Sequence, residues 1–163
     1  MPDDAPSSVV RSLFDALNAG EATRAAHQLA PDYRGFDATQ SEVTTGRDEA
    51  RVEIQNGLDA FAPTFSVRQC LTDPPHVFVF WHMEAVHEGP FLQIPPTHQP
   101  VAISGTGLFN VLDGQITRGL HLWDLAGLLR AVNLLPDLPD NRPDQFSSLD
   151  APILGTEHLP DHR

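Results

Sequence analysis

The chain of 163 residues is 40% hydrophobic and has a net charge of −12, from 22 acidic and 10 basic side chains. This length suits one globular domain, and the acidic charge argues against binding to nucleic acid or to an anionic membrane surface. Cys70 is the only cysteine, which excludes an intrachain disulfide and a two-cysteine metal site. Because no long apolar run opens the sequence, we expect a cytoplasmic protein.

Three helices are predicted in the first sixty residues. The first is SSVVRSLFDALNAGEA, in which Ser7 or Ser8 can cap the helix and Gly20 can end it. Its apolar residues recur at helical spacing, and they are Val9, Val10, Leu13, Phe14 and Leu17. A short second helix, EATRAAHQLA, ends before Pro31, and a third covers roughly residues 47 to 60.

Four β-strands are predicted after the helices. The segments TFSVRQCLT, HVFVFWHMEAVHEG, QPVAISGTGLFNVLDG and QITRGLHLWD are rich in β-branched and aromatic residues, and turn signals separate them. The strongest of these signals is Asp113-Gly114, a two-residue hairpin turn. LAGLLRAV then has a helical pattern, and residues 136–163 form a proline-rich acidic tail outside a domain of residues 1–135.

This order of elements predicts an α+β fold. The three N-terminal helices would pack on one face of a curved antiparallel sheet, which Gly105 and Gly107 would help to bend. A sheet bent over helices forms a cone with an internal cavity.

Asp124 is the most informative candidate residue. In a strand over 115–124 it shares a face with Leu120 and Leu122, which predicts a carboxylate pointing into the cavity. Such an acid can exchange a proton with a bound carbonyl compound. The alternative is that Asp124 caps the helix that follows it. If Asp124 points inward, His121 and Trp123 on the opposite parity point outward, on a candidate dimer surface.

Three motifs follow one another between about residues 8 and 135: LFDALNAGEATRAAHQLAPDYRGFD, GPFLQIPPTHQPVAISGTGLFNVLDGQI and LWDLAGLLRAV. Together they resemble the SnoaL-like polyketide cyclases of the NTF2-like superfamily. The resemblance implies an NTF2-like (cystatin-like) cone in which Asp124 is the general acid/base of an intramolecular aldol closure. His87 matches a family histidine that would bind a substrate oxygen or orient Asp124. One strand histidine of the family falls at Gly107.

The remaining candidates are predicted contacts to the substrate. His87 lies on a strand with Trp81 at the same parity, whereas His82 would face the other way. The predicted contacts are Phe36, Asp37, Trp81, Phe109, Asn110, Leu120 and Leu122. No metal site is predicted, because the histidines are scattered and show no ligand spacing.

These features predict a cofactor-independent cyclase or isomerase that acts on a hydrophobic, polyketide-like carbonyl substrate. The alternatives are a binding protein that uses the same cavity without chemistry, or an epoxide or lactone hydrolase. The Asp-Arg-Asp arrangement of the related epoxide hydrolases is not recognisable, because Arg118 lies too far from Asp124 along one strand. The expected partners are a hydrophobic small molecule and, from the resemblance, a second copy of the chain in a homodimer, with no nucleic acid and no membrane.

Overall fold

The computed structural model describes residues 5–138, and most of the predicted tail lies outside this range. The helices are α1 (Ala5–Asn18), α2 (Ala22–His27), α3 (Arg47–Phe61) and α4 (Leu125–Ala131). The strands are β1 (Leu29–Asp37), β2 (Thr44–Thr45), β3 (Thr64–Asp73), β4 (His76–Val86), β5 (Pro100–Leu112) and β6 (Gln115–Trp123). The predicted α+β class is confirmed.

The strands form one six-stranded sheet in the order β2-β1-β6-β5-β4-β3. Strands β3 to β6 are an antiparallel meander, as predicted. Strand β1 pairs in parallel with β6, so this edge of the sheet is mixed.

Strand β1 was not predicted, because Pro31 and Gly35 are unfavourable in a strand and the segment resembles a loop. Pairing with β6 and burial of Tyr33 and Gly35 override that local preference. As a result α3 follows β1 and β2, and two helices rather than three precede the first strand.

The core lies between the helices and one face of the sheet. Val10, Leu13 and Phe14 of α1 are buried there, at the helical spacing expected from the sequence. Strand β5 contributes its odd-numbered residues, such as Ile103 and Phe109. The side chains that face the helices are therefore the odd-numbered residues of β4 and β5.

The opposite face of the sheet carries exposed apolar side chains. Phe36, Leu120 and Leu108 are partners in register across β1, β6 and β5, and their exposed fractions are 41%, 41% and 42%. Leu122 on the same face is 48% exposed. The predicted inward orientation of Leu120 and Leu122 is therefore wrong, because both faces of β6 carry apolar residues and alternation does not show which one the helices cover. The homodimer stays a prediction.

Candidate functional site

A cavity of about 270 Å³ lies between the helices and the sheet. Its wall is mainly aromatic and aliphatic, and includes Phe14, Phe61, Phe65, Trp81, Phe91 and Phe109. Within the described residues, the ionisable side chains of the wall are Asp37 and His121, and the indole N–H of Trp123 is bonded to Asp37. An apolar cavity with a few converging polar groups is typical of a site for a hydrophobic small molecule.

A second cavity of about 150 Å³ shares part of this wall. Asp37 and His121 line both cavities. The second cavity adds polar side chains of β1, α3 and the segment between them, among them Tyr33, Gln40, Thr44 and Glu53. Asp37 and His121 therefore lie where an apolar cavity meets a polar one.

Asp37 is the last residue of β1, and hydrogen bonds hold its carboxylate in place. Thr39 donates to Oδ1 through its backbone N–H at 2.8 Å and its hydroxyl at 2.6 Å. The indole Nε1–H of Trp123 approaches both carboxylate oxygens, at 3.2 and 3.0 Å. These bonds fix a negative charge at the cavity wall.

His121 pairs with Asp37 in the register of β1 and β6. Its Nε2 lies 3.3 Å from the hydroxyl of Tyr33, and its ring meets Phe109 edge to face, with centroids 5.5 Å apart. Burial lowers the pKa of His121 below its ordinary value of 6.5, and the charge of Asp37 acts in the opposite direction. The imidazole is therefore uncharged near neutral pH, and its Nδ1 makes no hydrogen bond to any residue in the range 5–138.

Two glycines lie next to this histidine. A Cβ at Gly119 would lie 2.5 Å from the Tyr33 hydroxyl and 2.9 Å from His121 Nε2, so glycine permits their approach. Gly107, where the family resemblance would place a histidine, is the register partner of His121 on β5. The strand next to Gly107 thus supplies an imidazole to the cavity wall.

Asp124 is placed differently from the prediction. Strand β6 ends at Trp123, and Asp124 is the N-cap of α4, where its Oδ1 accepts a hydrogen bond from the N–H of Gly127 at 2.7 Å. Asp124 is exposed and is not part of the cavity wall. The capping alternative is what the structure shows, so the geometry gives no support to the predicted role in catalysis.

His87 is buried, with 1% of its surface exposed, but it lies behind the cavity wall rather than in it. Its Nδ1 lies 3.0 Å from Thr97 Oγ1 and accepts the Thr97 N–H at 3.3 Å. Its ring stacks on Phe61, which lines the cavity. No hydrogen bond joins His87 to Asp124 within the described residues, and the contacts of His87 indicate that it anchors the segment carrying Phe91.

The other predicted contacts divide between the two faces of the sheet. The cavity wall includes three of the predicted contacts, Asp37, Trp81 and Phe109. Phe36 and Asn110 are outside its wall, as are Leu120 and Leu122.

The sequence-based interpretation gave the wrong orientation to His121 and Trp123 and did not include Tyr33 among the candidate site residues. Recognition of β1 as a strand beside β6 would have brought Tyr33 and Asp37 to His121. The signal available for this was the spacing of Leu29, Tyr33 and Gly35, which is weak beside Pro31.

Two general features concern metals and membranes. Within residues 5–138, no group of three or more His, Cys, Asp or Glu side chains is arranged to hold a metal ion. No helix in the same part of the chain has the length and apolar character to cross a membrane.

Comparisons with known proteins agree with this architecture. The sequence profile of the SnoaL-like polyketide cyclases matches residues 7–132, while no curated protein matches the sequence. A solved structure from a Jannaschia species, assigned as a SnoaL-like polyketide cyclase, has a TM-score of 0.75 at 23% identity, over 83% of this chain and 97% of that one. AclR from Streptomyces galilaeus, assigned as a hydroxylase, has a TM-score of 0.73 at 20% identity, over 83% and 85% of the two chains.

A further neighbour has a ketosteroid isomerase-like fold. The neighbour comes from Catenulispora acidiphila and was solved in complex with trimethylamine. It has a TM-score of 0.68 at 15% identity, over 83% of this chain and 95% of that one. These similarities confirm the predicted NTF2-like fold. Because the family profile covers most of the domain, the chain belongs to the SnoaL-like polyketide cyclase family.

Proposed function

We propose that the protein is a cofactor-independent cyclase or isomerase of hydrophobic carbonyl compounds, with His121 as its proton acceptor. The observation that carries the proposal is an uncharged imidazole, with Nδ1 unbonded within the described residues, in the wall of an apolar cavity. A base with a pKa near or below the working pH is suited to removing a proton next to a carbonyl group. The proposal therefore moves the acid/base role from Asp124 to His121.

The reaction needs one proton to leave the substrate and return to it. Nδ1 of His121 takes the proton from the carbon next to a carbonyl, and the C–H electron pair becomes an enolate. The enolate carbon bonds to a second carbonyl carbon of the same molecule, whose π electrons move onto oxygen. The imidazolium then gives its proton to this alkoxide, so nothing is oxidised or reduced and no atom is lost.

Asp37 and the apolar wall assist this step in different ways. The carboxylate of Asp37 favours the imidazolium that forms when His121 accepts a proton. Thr39 and Trp123 hold that carboxylate, so it need not reorient during the reaction. The aromatic wall holds both ends of one substrate together, which gives ring closure the advantage of proximity.

The proposal can be tested with 2-tetralone, a bicyclic ketone with acidic α-protons, by following proton exchange in D₂O by NMR. His121→Gln should reduce the exchange rate about 10²–10⁴-fold, the usual contribution of a positioned general base. His82→Gln is the matched control, because His82 lies on the other face of the sheet and bonds to Ser104 Oγ at 3.0 Å. Exchange that survives in His121→Gln, or that falls equally in His82→Gln, would contradict the proposal.

A binding protein without chemistry is the second candidate. Gly107 in place of the family histidine favours it, because the site then lacks one polar group expected of the characterised cyclases. In that case 2-tetralone would bind in the cavity, as seen by quenching of tryptophan fluorescence, while the exchange rate would stay at the level without protein. A cytoplasmic location and a hydrophobic small-molecule partner are likewise proposals from the sequence.

A further inference from the structure

We propose that Tyr33 and Glu53 select the tautomer of His121 that leaves Nδ1 free to accept a proton. The inference deepens the proposed function, on which it rests for its catalytic meaning. The tautomer itself is a property of the protein without substrate. It can therefore be measured whether or not the proposed reaction takes place.

The contact between Tyr33 and His121 has two possible directions. If the Tyr33 hydroxyl donates to Nε2, the single proton of the neutral imidazole lies on Nδ1, which then cannot act as a base. If Nε2–H donates to the Tyr33 oxygen, Nδ1 has a lone pair directed away from Tyr33. The orientation of one phenolic hydrogen thus decides whether His121 can work as a base.

Glu53 supplies a reason for the second direction. It lines the second cavity together with Tyr33 and His121, and Thr44 Oγ1 donates to its Oε2 at 2.7 Å. Burial, and then the charge of Glu53, raise the pKa of Tyr33 well above its usual value, so the phenol keeps its hydrogen. A negative charge attracts that hydrogen toward itself and leaves the phenolic oxygen to accept from His121 Nε2–H.

Asp37 is the charged group that could favour the opposite tautomer. It faces His121 from β1, and an Nδ1–H would be attracted to its carboxylate. That carboxylate already accepts two hydrogen bonds from Thr39 and is shared with the indole of Trp123. The Tyr33 oxygen, by contrast, has no other hydrogen-bond donor among the described residues.

The test is to record the ¹⁵N NMR spectrum of the histidines in the full chain without ligand, at a pH above the pKa of His121. The His121 signals are assigned by their loss in His121→Gln. We expect Nε2 with the shift of a protonated ring nitrogen and Nδ1 with that of an unprotonated one. Glu53→Gln keeps the size of the side chain and an oxygen for Thr44, but removes the charge. Glu53→Gln should lower the ratio of the two His121 tautomers about tenfold. The ¹⁵N shifts of Nδ1 and Nε2 should therefore move toward each other.

Glu49→Gln is the matched control. Glu49 also lies on α3 and accepts a hydrogen bond from Thr45 N at 2.9 Å, but it is not part of either cavity wall. It should leave the His121 shifts unchanged. Tyr33→Phe, which fits the same buried position, should change the tautomer ratio at least as much as Glu53→Gln.

Two results would overturn the inference. One is a wild-type His121 with its proton on Nδ1, and the other is a tautomer ratio that Glu53→Gln or Tyr33→Phe leaves unchanged. Failure of the proposed function would give a different result. His121 would show the expected tautomer, and Glu53→Gln would still change it, but the rate of 2-tetralone exchange would not depend on His121.

Discussion

Replacement of Asp124 separates a capping role from a catalytic one. The structure gives its carboxylate one hydrogen bond, from Gly127 N at 2.7 Å, at an exposed helix start. Asp124→Ala should lower the free energy of unfolding by about 1 kcal/mol, the usual value of an N-cap, and Asp124→Asn by only a few tenths because asparagine caps equally well. For a domain of this size, 1 kcal/mol corresponds to a fall in Tm of about 3–5 °C.

The loss should be limited to the cap, because Leu128 and Val132 anchor α4 in the core and are 2% and 4% exposed. Thermal unfolding followed by circular dichroism gives Tm, and 2-tetralone exchange measured well below Tm gives activity. Both variants should exchange within about twofold of the wild type, the range expected for a residue that does not touch the substrate. A normal Tm together with abolished exchange in Asp124→Asn would refute this reasoning and restore the carboxylate as the acid/base.

Three further substitutions test the surroundings of His121. Because burial lowers the pKa of His121, its imidazole binds a proton more readily in the unfolded chain than in the folded one. His121 should therefore cause a loss of stability as pH falls through about 6.5 and below. Urea unfolding at about pH 7.5 and 5.5 should show a smaller pH dependence in His121→Gln than in the wild type, and equal dependence would argue against a buried, neutral imidazole. Gly119→Ala places a Cβ 2.5 Å from the Tyr33 hydroxyl, so we expect the free energy of unfolding in urea to fall by about 1–3 kcal/mol and 2-tetralone exchange to slow. A variant with unchanged stability and exchange would show that Tyr33 does not approach Gly119 this closely. Trp123→Phe keeps an aromatic wall but removes the indole donor to Asp37, so the rate of 2-tetralone exchange should fall about tenfold. A variant that loses stability but keeps the exchange rate would contradict a positioning role for Trp123.

The strands of the meander could be predicted because each has β-branched or aromatic residues between clear turn signals. Asp113-Gly114, for example, connects β5 and β6 as expected. The parity of β6 was also correct, in that Leu120 and Leu122 were separated from His121 and Trp123, although the strand ends before Asp124. The period of two shows which residues share a face, and only the packing of the helices shows which face is covered.

The polar part of the site depended on a contact distant in sequence. Asp37 and Tyr33 reach His121 because β1 pairs in parallel with β6, more than eighty residues later in the chain. Local preferences argue against a strand at Pro31, and the weak spacing signal for a strand here does not show which strand pairs with it. The motif resemblance identified the family, whereas the positions of the cavity residues required the fold.

The pH dependence of 2-tetralone exchange tests the central claim most directly, that a buried neutral His121 accepts the proton. The rate should rise with pH as one group loses its proton, with a midpoint below the ordinary histidine value of 6.5, and then stay level. His121→Gln should remove that rise. A rise of the same shape and size in His121→Gln, or a wild-type rate that falls as pH increases through this range, would contradict the account.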